Sequence, residues 1–205
     1  MKVIAFNGSP HKDGTVYAGI RIMGEELEKE GIELELVHTG GKAIRGCADC
    51  GKCRTLGKCV FDEDMVNECR DKVNKADGII LGSPVYYGGV AGAFKSFLDR
   101  LFFPGTKLRY KAGVAVVSLR RSGGIAVFHQ LNNYLNLAQV IITPSIYWNV
   151  IHGNNARELL QDEEGLSIMR TTGRNMAWLL KILAQGKQNC PCPDAAPRVM
   201  TNFIH

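Results

Sequence analysis

Four cysteines, Cys47, Cys50, Cys53 and Cys59, fall within one short stretch and form the densest group of reactive side chains in the sequence. Gly46, Gly51 and Gly57 lie among them and let the backbone fold tightly enough for four thiolates to converge. Four-cysteine sites hold iron–sulfur clusters or zinc. The spacing Cys-x2-Cys-x2-Cys-x5-Cys opens like a ferredoxin site, not like the two separated pairs of a zinc ribbon. Reduced thiols, or a labile disulfide that only shapes a loop, are the structural alternative. Arg45, Lys52, Arg54 and Lys58 flank the cysteines and would offset the negative charge of an iron–sulfur–thiolate centre. Of the other three cysteines, Cys69 lies in a helical apolar pattern and reads as a buried small side chain. Cys190 and Cys192 sit in a proline-rich tail and read as an incidental pair.

Three glycine-rich loops form the second group. Gly8-Ser9-Pro10-His11-Lys12-Asp13-Gly14-Thr15 runs from an apolar segment into a helical one. Small residues let backbone N–H groups converge there, and the hydroxyls of Ser9 and Thr15 can donate, so the loop suits a phosphate at a helix N-terminus. It is neither a Walker loop nor G-x-G-x-x-G. A plain turn capped by Thr15 is the alternative. Ser83-Pro84-Val85-Tyr86-Tyr87-Gly88-Gly89 could wall a planar ring with its tyrosines, or expose them on a surface. Arg120-Arg121-Ser122-Gly123-Gly124 offers donors on a flexible turn, or simply a solvated basic one. A phosphate seat beside a planar slot fits a mononucleotide, FMN best.

Periodicity supplies the elements that must position these loops. Val3–Phe6 is an apolar strand. Val16, Ile20, Met23 and Leu27 mark one face of a helix from about Thr15 to Glu30, stopped by Gly31. Ile32, Leu34 and Leu36 alternate with Glu33 and Glu35, a half-exposed edge strand. Asp62–Asp64 open a third segment with acids suited to a helix N-terminus. Gly78–Ser83 and Gly113–Leu119 are fully apolar central strands, the first ended by Pro84. Helices are predicted over Val90–Leu101, Ile125–Leu137 and Glu163–Gly186, and a proline-bearing edge strand over Val140–Ile146. Five strands alternating with helices predict a parallel sheet with helices on both faces, doubly wound in the order 2-1-3-4-5. That order puts the polar and proline-bearing strands at the edges. It also brings the three loops to one sheet edge, where the winding reverses and ligands bind.

The segments GSPHKDGT (8–15), LGSPVYYGGVAGAFKSFLDR (81–100) and RRSGG (120–124), the last leading to YWNVIHG (147–153), resemble the NAD(P)H-dependent FMN reductase family of flavodoxin-like proteins. The similarity runs to about Leu183. It implies a flavodoxin-like fold in which Ser9, His11, Thr15 and the Val16 amide hold the FMN phosphate. Pro84, Val85, Tyr86, Tyr87 and Gly88 would line the isoalloxazine, and Ser122, Gly123 and Gly124 would approach its rim. The family often has Arg where His11 stands and Asn-Thr where Thr15-Val16 stand, so one fixed charge and one side-chain donor differ. The cysteine spacing resembles the iron–sulfur flavoprotein branch, which implies Cys47, Cys50, Cys53 and Cys59 as ligands of a 4Fe–4S cluster near FMN.

The resemblance implies an FMN-dependent oxidoreductase that takes hydride from NAD(P)H and passes electrons to a quinone, an azo or nitro compound, a flavin or an iron–sulfur acceptor. No residue is required as a catalytic acid or base; the cofactor carries the chemistry. Two alternatives stand beside it: an electron carrier working with ferredoxin, and a non-catalytic zinc-loop binding protein. The family's habit of completing flavin sites across subunits, with Tyr147-Trp148 and Phe102-Phe103, predicts a homodimer or homotetramer. His152 reads as a structural histidine, and Trp148 and Trp178 as core or interface.

Composition bounds the rest. The chain has 205 residues, 45% hydrophobic and 22% charged, which predicts one domain over 1–205 with a cysteine-rich loop at 46–60 and an irregular tail from about 187. A net charge of +5 is spread along the chain, which excludes a nucleic-acid stripe and favours anionic small molecules. No long apolar run marks a membrane span, and MKVIAFNGSP lacks the apolar region of a secretory signal, so the expected compartment is the cytoplasm.

Overall fold

Strand β1 (Lys2–Asn7) alternates between two cores, and the rest of the fold follows from that alternation. Ile4 and Phe6 point to one face of the sheet and Val3 and Ala5 to the other, as a period of two requires. The structure is a computed structural model describing residues 1–197 and 199–203. Helices α1 (Thr15–Lys29) and α7 (Glu163–Asn189) cover the Val3 face; α3 (Val66–Lys75), α4 (Gly92–Phe102) and α5 (Gly124–Leu137) cover the Ile4 face. Between them lie β2 (Glu33–His38), β3 (Gly78–Tyr86) and β5 (Ala112–Leu119), parallel to β1. Helix α2 (Cys53–Leu56) is a single turn inside the cysteine loop, and α6 (Ala156–Leu159) is another single turn. Neither was expected from periodicity, which needs more than four residues to appear. Beyond α7 the described residues form no helix or strand.

The sheet order is β2-β1-β3-β5-β6, with β6 being Ile141–Ile142, so the doubly wound order 2-1-3-4-5 is present. The last position departs from expectation. Instead of one strand over Val140–Ile146, β6 pairs Ala112 and Gly113 at the base of β5. Thr143 still donates its amide to Gly113 at 2.9 Å. Pro144 has no amide to offer, and the chain leaves the ladder there. It returns as β7 (Val150–His152) beside Val117–Leu119. The Tyr147-Trp148 segment is thereby pushed outward between two short strands.

The expected stop at Pro84 is also corrected. Strand β3 continues to Tyr86 and turns back antiparallel into β4 (Gly89–Val90), pairing Val85 with Val90 and Tyr86 with Gly89. The turn residues Tyr87 and Gly88 have φ of 49° and 72°. A two-residue hairpin of this hand needs two positive φ values, which suits glycine and strains tyrosine. Pro84 is tolerated because the strand is leaving the sheet, and its carbonyl takes the Ser83 hydroxyl at 2.8 Å.

Edge strand β2 is half-exposed as its alternation predicts. Glu33 and Glu35 pair with Lys2 at 2.9 and 2.8 Å, and Glu35 also with Lys72. No helix among the described residues is long and apolar enough to cross a membrane.

Helices α1 and α7 are tied by Glu26, which is 7% exposed and bonded to Lys29 at 2.7 Å and Arg174 at 2.9 Å. Lys29 first and Arg174 second hold its carboxyl below the usual carboxylate range, against the opposing effect of burial. A folded-state value below the unfolded one stabilises the fold at neutral pH, and that contribution disappears as pH falls through the depressed value. Glu26→Gln is expected to lower the neutral-pH melting temperature by about 2–4 °C, for a pair contributing about 1 kcal/mol. The difference from wild type should vanish in acid. An unchanged gap across an acid titration of the melting curve would contradict the assignment.

Candidate functional site

Asn7, the last residue of β1, shapes the first loop from inside. Its side chain is fully buried. It accepts from the Ser9 amide at 3.0 Å and donates to the carbonyls of His11 (3.3 Å) and Lys12 (3.0 Å). Ser9 in turn accepts the His11 amide at 3.2 Å. These bonds close the loop into an arch that delivers the chain to α1. No side chain caps α1, and its first turn carries no acid. The first amides of the helix therefore face the loop as free donors, with the helix dipole behind them. Thr15 bonds Ser118 at the end of β5, which fixes its hydroxyl at the mouth of the arch. Ser9 and Val16 are buried, Thr15 is half-buried and His11 is exposed. A donor-rich concavity at a helix start whose first turn carries no acid fits a phosphate.

A second loop braces this arch from behind. His38 holds the Ser9 carbonyl at 2.8 Å, and the Thr39 and Gly40 amides hold the Asn7 carbonyl at 2.9 and 3.2 Å. Asn7, His38 and Gly40 were not singled out in the sequence. An Asn directly before Gly-Ser is a local turn signal; His38 and Gly40 reach the loop across the sheet and leave no local trace.

The hairpin and the third loop meet beside the arch. Pro84 is buried, Val85 half-buried, and Tyr86, Tyr87 and Gly88 are exposed at the tip. Ser83 accepts the Ala91 amide at 3.1 Å and so joins the hairpin to α4. Gly123 has φ of +88°, and a Cβ there would lie 2.9 Å from Val85 Cγ1. At Gly123 the turn thus packs on the hairpin with no space for a side chain. Together the three turns form one rim at the carboxyl ends of β1, β3 and β5, with exposed aromatic surface at Tyr86 and Tyr87 and donors below it. The chemistry of that donor set fits a phosphorylated planar cofactor.

The third loop also borders a cleft of about 280 Å³. Ser122, Gly123 and Gly124 form one wall, Tyr147 and Trp148 another, and Ile125, Val150 and Ile168 its apolar floor. The Tyr147 and Trp148 rings meet edge to face at 4.5 Å. His152 bonds Asp162 through its amide at 2.7 Å and its ring at 3.3 Å. Burial alone would raise the Asp162 carboxyl, but bonds from the Gly165 and His152 amides hold it below the usual range. His152 is therefore held by a capping carboxylate yet stays half-exposed to the cleft.

All four cysteines of the motif line one small cavity, closed by Val60, Phe61, Arg100, Phe103 and Pro104. Left-handed backbone at Asp49, Gly51 and Gly57 makes the turns that bring them round it. Among the described residues no three Cys, His, Asp or Glu side chains gather to hold a single metal ion. The cationic donor at the sulfurs is Arg100, whose Nε lies 3.2 Å from Cys59 Sγ. Of the four flanking cations expected to offset charge, two are engaged elsewhere: Arg45 stacks on Phe61 at 3.7 Å, and Lys58 pairs with Asp62. Cys69 is 1% exposed, and burial pushes its thiol up to about 12. Cys190 and Cys192 are exposed in the tail.

With this geometry described, comparison with known proteins is specific. The family model for NADPH-dependent FMN reductase matches residues 1–155. An iron–sulfur flavoprotein of Methanocaldococcus jannaschii is 33% identical over 192 residues, covering 89% of this chain and 99% of that protein. A crystal structure of RosB with bound 8-demethyl-8-formylriboflavin-5'-phosphate is similar at a TM-score of 0.70 and 18% identity, covering 99% of this chain and 92% of that one. A flavodoxin from the Archaea gives a TM-score of 0.60 at 13% identity, over 88% and 99% of the two chains. The two structural likenesses establish the flavodoxin-like fold.

Proposed function

The chain belongs to the NADPH-dependent FMN reductase family of flavin oxidoreductases, and from that premise we propose that it holds FMN, takes hydride from NAD(P)H and delivers electrons to an acceptor. The observation that carries the reading is the uncapped, acid-free start of α1 closed over by the Ser9 arch. Ser9, His11, Thr15 and the Val16 amide would receive the phosphate. Pro84 to Gly88 would wall the ring, and the Ser122–Gly124 turn would meet its rim. When bound, FMN supplies the capacity to accept a hydride and release the electrons as a pair or singly. The protein's part is to fix the ring and leave one face open to a nicotinamide. Titration of FMN into the apoprotein should give one tight site per chain. Mixing the loaded protein with NADPH or NADH without oxygen should bleach the flavin. Absence of binding sinks the reading; binding without bleaching leaves the carrier reading below.

The cleft beside the third loop is the seat this reading gives to a planar acceptor such as a quinone or nitroaromatic. Its open aromatic wall and apolar floor suit a flat ring. Trp148→Ala should raise KM for a naphthoquinone about three- to tenfold, the stacking contribution of one aromatic pair, while flavin reduction by NAD(P)H is unchanged. Equal loss in both half-reactions would place the effect elsewhere. The reading also includes a homodimer or homotetramer, which sedimentation of the loaded protein tests.

A second reading, an electron carrier with ferredoxin as partner, is favoured by the cysteine cavity. Cys47, Cys50, Cys53 and Cys59 would hold a 4Fe–4S cluster, which supplies one-electron transfer when bound. A zinc ion held at about 2.3 Å by four sulfurs needs them about 3.8 Å apart. Four thiols opening onto one cavity in a Cys-x2-Cys-x2-Cys-x5-Cys order supply the donor set of a four-iron core, and an iron and sulfide assay separates it from zinc. Failure of NAD(P)H to reduce the flavin, with rapid reduction by ferredoxin, would select this reading.

A further inference from the structure

Among the described residues Arg100 is the most deeply buried charged side chain, 1% exposed, and every donor edge of it is used. Its two terminal nitrogens grip Asp64, with Nη2 at 3.1 Å from Oδ1 and Nη1 on Oδ2. Nη1 also donates to the Arg45 carbonyl at 3.3 Å and Nη2 to the Phe61 carbonyl at 2.8 Å. Those two carbonyls lie just outside the first and last cysteines of the motif. Nε is left for Cys59 Sγ at 3.2 Å. A buried guanidinium is costly unless its charge is paired and its donors are met. Asp64 meets the first need; the flanks of the cysteine loop and one sulfur meet the second.

We propose that Arg100 is a positioning residue of the cysteine site: it pins both flanks of the loop and donates a hydrogen bond to the Cys59 sulfur that favours the reduced cluster. The proposal rests on the 4Fe–4S reading of the cavity. A sulfur ligand carries more negative charge when the cluster is reduced, so a donor aimed at it stabilises that state and raises the reduction potential. Asp64 limits the guanidinium's net charge, so the directed bond supplies most of the effect.

The test is an anaerobic redox titration of the reconstituted full-length protein, followed by electron paramagnetic resonance, with iron and sulfide assayed on the same samples. Arg100→Lys keeps a cation beside Asp64 and loses the directed Nε–H. Its cluster should become about tenfold harder to reduce at a fixed potential, which for one electron is a downward shift of 59 mV. Asp64→Asn loosens the counterion and should move the potential the other way. An unshifted potential in a fully loaded Arg100→Lys protein overturns the proposal. If Arg100→Lys does not load, the charge-neutral pair Arg100→Gln/Asp64→Asn decides, because it removes the Nε–H bond to Cys59 and leaves the net charge unchanged: a downward shift supports the proposal and an unshifted potential overturns it. Wild-type protein that takes up no iron or sulfide removes the cluster reading itself, and the proposal with it. That result is distinct from a loaded wild type with indifferent variants.

Discussion

Cys50→Ala is expected to reduce bound iron and acid-labile sulfide to background while leaving FMN binding intact. The four motif cysteines ring one cavity, and removal of one ligand leaves a four-iron core with an open corner. The phosphate arch is built by Asn7, Ser9 and Thr15 and shares no bond with Cys50. The folded apoprotein should be little affected, because Cys50 is exposed and unpaired and its loss breaks no disulfide. Cys69→Ala is the opposite control. That side chain is packed in the core against α3's neighbours, so its loss should cost about 1 kcal/mol of stability and no iron. Cys190→Ala and Cys192→Ala in the exposed tail should change neither. Full iron and sulfide in Cys50→Ala, or zinc without sulfide in the wild type, would defeat the cluster assignment.

The contrast among these cysteines also shows what a sequence can and cannot disclose. Cys69 was legible as a core residue because its neighbours repeat at helical offsets. The three apolar runs disclosed the central strands, and the polar alternation of β2 disclosed an edge. Those are local patterns, and the doubly wound order followed from them. Where the pattern failed, a long-range partner decided. Pro84 stays in a strand because β4 folds back on it, and the edge strand breaks at Pro144 because only its first residues find a ladder on β5. The candidate site divides the same way. Ser9, Thr15, the hairpin and the glycine turn are contiguous motifs. Arg100 lies 41 residues from Cys59 and His38 lies 29 from Ser9, so their roles exist only once the chain is folded. Helix α4 carries this further: Phe94 packs under Gly8 at one end and Arg100 grips the cysteine loop at the other. About 9 Å of helix rise separates those two residues. One rigid element thus spaces the proposed flavin seat from the cysteine cavity.

Gly40→Ala is expected to weaken FMN binding about 5- to 150-fold without unfolding the protein. A Cβ at this position would lie 2.3 Å from the carbonyl oxygens of Gly8 and Ser9 and 2.4 Å from the Ser9 carbonyl carbon. These are backbone atoms, so no rotamer change relieves the clash. Either the phosphate arch or the 39–41 segment must move. The bonds from His38 to Ser9 and from the Thr39 and Gly40 amides to Asn7 resist that motion, so the strain falls on the arch they brace. Overpacking of this kind costs about 1–3 kcal/mol, and displaced donors lose much of that from the bound state. Gly186→Ala supplies the control. Its Cβ meets nothing within 4 Å on an exposed part of α7, so it should leave FMN affinity unchanged and slightly raise stability. Fluorescence quenching on titration with FMN reads the affinity, and far-ultraviolet circular dichroism reads the fold. A wild-type affinity in a folded Gly40→Ala protein would mean that the arch at Ser9 does not grip the phosphate. A loss of affinity matched by a loss of fold would mean that Gly40 holds the sheet edge rather than the site.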